Sequence, residues 1–232
     1  MCETDARAGP EENHCTQRLQ HSLEAWTMAH SMGPRKGIFS GGDDAALQYW
    51  TSEDVAGSMV DVSWKDHRIH SAGVTAILPL TVDTIVTGSY DDHIRVVRAP
   101  HRGRREVLAE LNLGGGVWRI KLMEAVGNGE GTKRYENATR ENEATGGDGT
   151  PCGEVARYTL LASCMHAGTR IVVLTHLADN SWTADVLARF EEHDSMNYSS
   201  DFRPGVPANA PQTIVSTSFY DRLLCLWKFV PA

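Results

Sequence analysis

The chain has 232 residues, 41% of them hydrophobic, which suffices for one sizeable core in a single all-β domain. Its formal net charge of −8 argues against a nucleic-acid surface, because phosphate binding relies on clustered Lys and Arg. No run approaches the roughly 18 apolar residues of a membrane helix. Five cysteines without a CxxC pair argue against both a disulfide framework and a zinc site, and fit reduced thiols in the cytoplasm. The first segment, residues 1–20, is polar and acidic. It lacks the basic start and apolar middle of a secretory signal.

From residue 21 to 232 one form recurs. A short apolar strand ends in small residues, a turn carries Asp or His, and a second strand follows. The segments are Ser40–Trp50, Thr87–Val97, Ala162–Val172 and Thr217–Trp227, with turn residues Asp44, Asp91, His166 and Asp221. Asp and Gly in such a turn predict hairpins. The alternation Ile94, Val96 and then Leu224, Leu226 predicts half-buried strands. A further strand is expected before each of the last three hairpins, near Gly73–Ile77, Gly116–Leu122 and Met196–Phe202.

Residues 125–156 are rich in Gly, Glu, Asn and Thr and poor in large apolar side chains, so a disordered insertion is expected there. With that segment set aside, the hairpins recur at a spacing near the ~40–45 residues of a WD-repeat blade. The expected fold is therefore all-β, a WD40-type β-propeller of about four blades, fewer than many propellers carry. N-terminal blades are expected to be missing.

Candidate chemistry is sparse. No GxSxG elbow, HExxH or Walker A loop is present. Gly114-Gly115-Gly116 either offers backbone N–H groups to an oxyanion or makes a tight turn. Asp44, Asp91 and Asp221 read as structural turn residues. His70 is the expected partner of Asp91; His193 is either the partner of Asp221 or a general base. In the third repeat a titratable His166 replaces the turn Asp, and Cys164 stands two residues before it. Cys164 is either a nucleophile or a buried strand cysteine. The stretch 192–202 gathers His193, Ser195, Tyr198 and Asp201, either as a rim site or as a polar loop between blades. The basic run 101–105 reads as a solvated loop or as a contact to an acidic partner.

Several blocks together resemble the diphthine methyl ester methylesterase family. They are His21-x-x-Glu24-Ala25-Trp26, Ser40-Gly41-Gly42-Asp43-Asp44, Thr87-Gly88-Ser89-Tyr90-Asp91-Asp92-His93-Ile94 and Gly114-Gly115-Gly116-Val117-Trp118-Arg119-Ile120-Lys121. They continue in Leu161-Ala162-Ser163-Cys164-Met165-His166, Asp194-Ser195-x-x-Tyr198-x-x-Asp201 and Ser218-Phe219-Tyr220-Asp221. Val97 departs from a blade Trp, and Ser199 and Phe202 stand where the family tends to have Gly and Trp.

The resemblance implies hydrolysis of the methyl ester on the modified histidine of translation elongation factor 2, giving diphthine and methanol in diphthamide biosynthesis. It implies elongation factor 2 as the protein substrate, no cofactor or metal, no nucleic-acid or membrane partner, and a monomer at full length. Ester hydrolysis needs a base, a nucleophile or activated water, and oxyanion donors. His166 or His193 is the expected base and Ser195 or Cys164 the expected nucleophile, unless water attacks directly. Gly115, Gly116, Trp118, Arg119, Tyr198 and Asp201 are the expected substrate-binding residues. The competing expectation is a non-catalytic WD-repeat scaffold, since propellers host unrelated functions.

Overall fold

The computed structural model describes residues 20–33, 37–51, 62–127, 132–133, 155–207 and 209–231. The chain divides into two compact units, one holding the residues up to Asp91 with Arg95–Val107, the other Asp92–Ile94 with Leu108 onward.

Four antiparallel sheets are found among the described residues. The first unit begins with β1 (Ala25–His30), β2 (Gly37–Gly42), β3 (Leu47–Thr51) and β4 (Val62–Asp66), in the order β1-β2-β3-β4. The second sheet runs β5 (Val74–Pro79), β6 (Thr84–Ser89), β7 (His93–Arg98) and β8 (Glu106–Asn112), again in chain order. The core of this unit centres on Phe39, Leu47, Tyr49, Trp64, Ile85 and Val97. Phe39 and Tyr49 lie 4.7 Å apart, and Tyr49 stacks on Trp64 at 5.7 Å. Val97 thus fills core space where a blade Trp was expected. In the basic run, Arg105 folds back over the Trp64 ring at 5.1 Å and reaches the buried Asp66 at 3.4 Å, so part of that run is structural.

In the second unit, β9 (Arg119–Gly127), β10 (Thr132–Lys133), β11 (Val155–Ser163), β12 (Thr169–His176) and β13 (Trp182–Phe190) form a sheet in the order β10-β9-β11-β12-β13. Strands β14 (Asn197–Phe202), β15 (Gln212–Ser218) and β16 (Leu224–Phe229) form a three-stranded sheet. Met123, Leu161, Ile171 and Ile214 make the core, with Phe202, Trp227 and Phe229 packed against it. Phe190 stacks on Trp227 at 4.8 Å. Central strand β12 is buried on both faces over most of its length, while outer strand β13 alternates with period two.

Three expectations need correction. Strand β7 is not half-buried: Ile94, Arg95, Val96 and Val97 are all buried because the strand is interior to its sheet. In β16 the phase is reversed. Leu224 and Leu226 face solvent at 65% and 72% exposure, while Cys225, Trp227 and Phe229 turn inward. The reason is that β16 edges its sheet and its Trp227 and Phe229 side chains join the core. Finally, the segment expected to be disordered is entered by strands. β9 runs through Gly127 because it pairs with β11, and Thr132–Lys133 pairs back on β9. The rest of that segment, 128–131 and 134–154, lies outside the described residues, as do residues 1–19 of the polar N-terminal stretch.

Candidate functional site

The hairpin turns do not share one chemistry. In the first sheet, His21 stands four residues before β1. Its Nδ1 lies 2.9 Å from Asp44 Oδ1, and its Nε2 lies 3.0 Å from Ser40 Oγ. Asp44 also accepts from the Ser22 and Ala46 backbone N–H groups at 3.0 and 3.1 Å. Burial alone would raise the Asp44 carboxyl, but the His21 and backbone hydrogen bonds outweigh it and hold the group well below the usual carboxylate range.

The second sheet alters this pattern. His70, also four residues before its first strand, bonds Thr87 Oγ1 through Nε2 at 2.8 Å. The expected His70–Asp91 bond is replaced: Arg95 pairs with Asp91 at 2.9 Å, and His70 Nδ1 is buried without a hydrogen-bond partner. Burial, reinforced by the Arg95 charge, pushes the His70 pKa down to about 4.

In the last sheet, His193 holds the same station. Its Nε2 lies 2.8 Å from Ser216 Oγ, which also accepts the Trp227 indole N–H at 3.2 Å. Asp221 is occupied by the Ser218 hydroxyl and the Asp194 and Leu223 backbone N–H groups. His193 is buried, and its Nδ1 has no hydrogen-bond partner. Its environment is that of a scaffold histidine, not an accessible base. Ser216, not Thr217, is the counterpart of Ser40. The turn between Thr217 and Leu224 is one residue longer than the turn between Gly41 and Leu47, which shifts the repeat register.

The third sheet has lost the histidine–aspartate pair altogether. Gly115 stands four residues before β9, where the other sheets have His, and His166 stands in the turn where they have Asp. A Cβ on Gly115 would meet Cys164 O at 2.5 Å and Ala167 Cβ at 2.9 Å, so the turn packs directly against bare backbone. Gly115 and Gly116 are buried, consistent with the tight-turn reading of the glycine run. Met165 takes φ 43°, in the left-handed region, and its backbone pairs with Asn197 in both directions at 2.9 and 3.1 Å. Polar side chains at the turn end of the strands stand in for the missing pair. Ser163, Thr169, Asn197 and Ser200 are all buried, and their side chains form one hydrogen-bonded group, with Ser200 Oγ 2.9 Å from Ser163 and 3.0 Å from Thr169. Sequence reading missed this group; its residues are ordinary strand Ser, Thr and Asn with no motif spacing.

The site candidates then separate. Cys164 is fully buried, and burial pushes its thiol up to about 12. It stands just past the end of β11, and burial keeps its thiol protonated at neutral pH, which disfavours a nucleophilic role. His166 is exposed at the turn. Ser195 Oγ accepts the Tyr220 backbone N–H at 3.0 Å. The Trp118 and Tyr198 rings meet edge to face at 5.2 Å. Arg119 is exposed at the start of β9. Asp201 lies further along its strand and pairs with Lys121 at 2.9 Å, a surface ion pair.

Backbone and ring contacts join most of these segments at one end of the second unit's sheets. The Trp118 N–H donates to Ser163 O, the Met165 turn pairs with Asn197, and the Phe219 N–H donates to Met196 O. Tyr198, Phe219 and Tyr220 continue the ring contacts from Trp118. Phe219 and Tyr220 were absent from the expected site. Two adjacent large aromatics in a hairpin turn, where the second repeat has one (Tyr90) and the first has none, are the signal that could have found them. Among the described residues no three His, Cys, Asp or Glu side chains cluster as metal ligands.

No family model matches the chain. It is 30% identical over 212 residues to the diphthine methyltransferase of Schizosaccharomyces pombe, covering 90% of this chain and 52% of that protein. It is 28% identical over 184 residues to the human diphthine methyltransferase, covering 78% of this chain and 32% of that protein. The Saccharomyces cerevisiae protein of that name is 27% identical over 226 residues. The chain therefore spans about half the length of the yeast relatives it matches, or less in the human case. In fold, it is similar to Sqt1 of Saccharomyces cerevisiae, with TM-score 0.58 and 11% identity over 90% of this chain and 46% of that one. The WD40 domain of SCAP from fission yeast gives TM-score 0.50 at 12% identity, over 91% of this chain and 43% of that one. The four sheets are WD40-type propeller blades, and by sequence the chain is related to the diphthine methyltransferase family.

Proposed function

We propose that the chain acts in diphthamide biosynthesis, hydrolysing the methyl ester on the modified histidine of elongation factor 2 to give diphthine and methanol. The supporting observation is the third repeat. There the histidine–aspartate scaffold is absent, and His166 stands exposed in the turn whose Met165 pairs with Asn197, the residue before Tyr198. The relatedness to diphthine methyltransferases over 90% of the chain supports a role in this pathway.

In this reading His166 is the general base. It takes a proton from water as the water oxygen attacks the ester carbon. The C–O bond to the methoxy group then breaks, and the proton returns on methanol. Direct attack by water suits a site whose Cys164 is buried and protonated and whose Ser195 hydroxyl is engaged with Tyr220. Backbone N–H groups of Gly115 and Gly116, or the Tyr198 hydroxyl, would receive the developing oxyanion. Trp118 and Arg119 would border the substrate, and Asp201 would act through Lys121. The proposed partner is elongation factor 2 in the cytoplasm, with a monomeric enzyme. A non-catalytic scaffold is the second reading, favoured by the structural roles of His193 and Cys164.

The test is methanol release from elongation factor 2 carrying the ester. It would use this chain and a fusion to the part of the Schizosaccharomyces pombe relative outside the match. Release by either supports the hydrolase. No release by a folded fusion leaves the scaffold reading.

A further inference from the structure

A single buried amide ties the turn of the third repeat to the last sheet. Asn197, the first residue of β14, is fully buried and uses every hydrogen-bonding position of its side chain. Its Oδ1 accepts from the Thr169 and Ser200 hydroxyls at 3.3 and 3.2 Å, and its Nδ2 donates to Ser199 O and Thr217 O at 3.1 and 2.8 Å. The register of β14 on β15 slips between Asn197 and Ser199, so Tyr198 is the extra residue of a β-bulge. The two Nδ2 bonds span that bulge, one to each strand. The Asn197 backbone meanwhile pairs in both directions with Met165, the residue before His166. Met165 holds a left-handed φ of 43°, a conformation that persists only with outside support. The hairpin of β11 and β12 is already paired over seven residues, from Arg157 to Ser163. The sheet therefore forms without Asn197, and what Asn197 adds is the location of the turn.

We propose that Asn197 is a positioning residue for the proposed hydrolysis, fixing the His166 turn against the Tyr198 bulge. A bulge re-aims the side chain it carries. One residue thereby sets two features: where His166 stands, and how the ring of Tyr198, the partner of Trp118, is directed. Misplacing a base by about 1 Å slows the step it assists while leaving substrate binding largely intact. The effect on rate rests on the hydrolase reading; the bracing of the turn does not.

The variants are Asn197→Asp, which keeps the shape but replaces the Nδ2 donor, and the milder Asn197→Ser, which keeps one hydroxyl donor and carries the test if the first does not fold. Ile214→Ala, in the core of the same unit, is a destabilised control outside the turn and the bulge. Hydrogen exchange in the full chain should show the Met165 amide opening about tenfold faster, relative to the Leu161 amide, in the folded Asn197 variants and not in the control. For methanol release by the chain or its fusion, kcat should fall about tenfold with KM held within about twofold, and Ile214→Ala should keep both. Unchanged Met165 exchange or unchanged kcat in the folded Asn197 variants overturns the proposal, as does an equal loss of kcat in the control. No methanol release by the parent would refute the hydrolase reading, and the exchange ratio would then decide the brace by itself.

Discussion

The first and third hairpins are built on the same strand pattern yet do opposite things with their turns. In the first, Asp44 is enclosed by His21, Ser22 and Ala46, and its charge is consumed in holding the turn. In the third, Gly115 removes the histidine, and His166 replaces the aspartate. The turn is then held by backbone pairing of Met165 with Asn197 and by the buried Ser163–Thr169–Asn197–Ser200 group. A repeat that secures its turn through backbone and buried hydroxyls releases the turn side chain for other work. This separation of support from exposed chemistry is what makes the third repeat the candidate site.

The largest expected effect lies at the closed turn. Asp44→Ala strips partners from the buried His21 and from two backbone N–H groups, and should cost about 3–5 kcal/mol in urea unfolding. The same carboxylate sets an acid limit. Its folded pKa lies below the unfolded value of about 3.9, so its stabilisation is complete above that value and is lost as the pH falls further. Asp44→Asn should flatten stability against pH in that range.

His70 adds a milder acid sensitivity. Its folded pKa is depressed from 6.5 to about 4, so the neutral form is favoured in the fold. Stability from this group is complete above 6.5 and is lost as pH falls from 6.5 toward about 4. A His70→Gln variant, compared by thermal melting at pH 7 and pH 5, should lose less stability on acidification than the parent.

Gly115→Ala probes the open turn. The added methyl must displace Cys164 O, so roughly 1–3 kcal/mol of stability should be lost, with methanol release reduced as the turn shifts. Cys164→Ala removes only a small buried group, at a cost of about 1 kcal/mol, and should leave the rate of the folded protein unchanged. The smallest stability change is expected for the exposed His166→Ala, within about 0.5 kcal/mol. A large stability loss there would show that the third turn is closed like the first.

The hairpins were legible because Asp and Gly mark turns locally and the blade spacing is a property of order along the chain. Strand phase was less so. Leu224 and Leu226 look like core residues in any period-two reading, yet only the packing of Trp227 and Phe229 determines which face turns inward. The extra residue before Leu224 was hidden for a related reason: Ser216 is identified by its bonds to His193 and Trp227, and its neighbours Thr217 and Ser218 are chemically similar. At the candidate site, Trp118 and Tyr198 were legible through their sequence blocks, and they do meet. The fate of Cys164 was not, because a cysteine near a histidine reads as a nucleophile until its burial is known. Gly115 was read as a turn or an oxyanion donor; its place at the histidine station appears only once β9 has a defined start.

The most direct measurement is single-turnover methanol release from methyl-esterified elongation factor 2, by whichever of the chain or its fusion is active, compared with the His166→Ala and Cys164→Ala variants. The account predicts that His166→Ala lowers the rate by about 10²–10⁴-fold with unfolding unchanged, while Cys164→Ala retains it. Full release by folded His166→Ala protein would contradict the assignment of the third repeat as the catalytic turn.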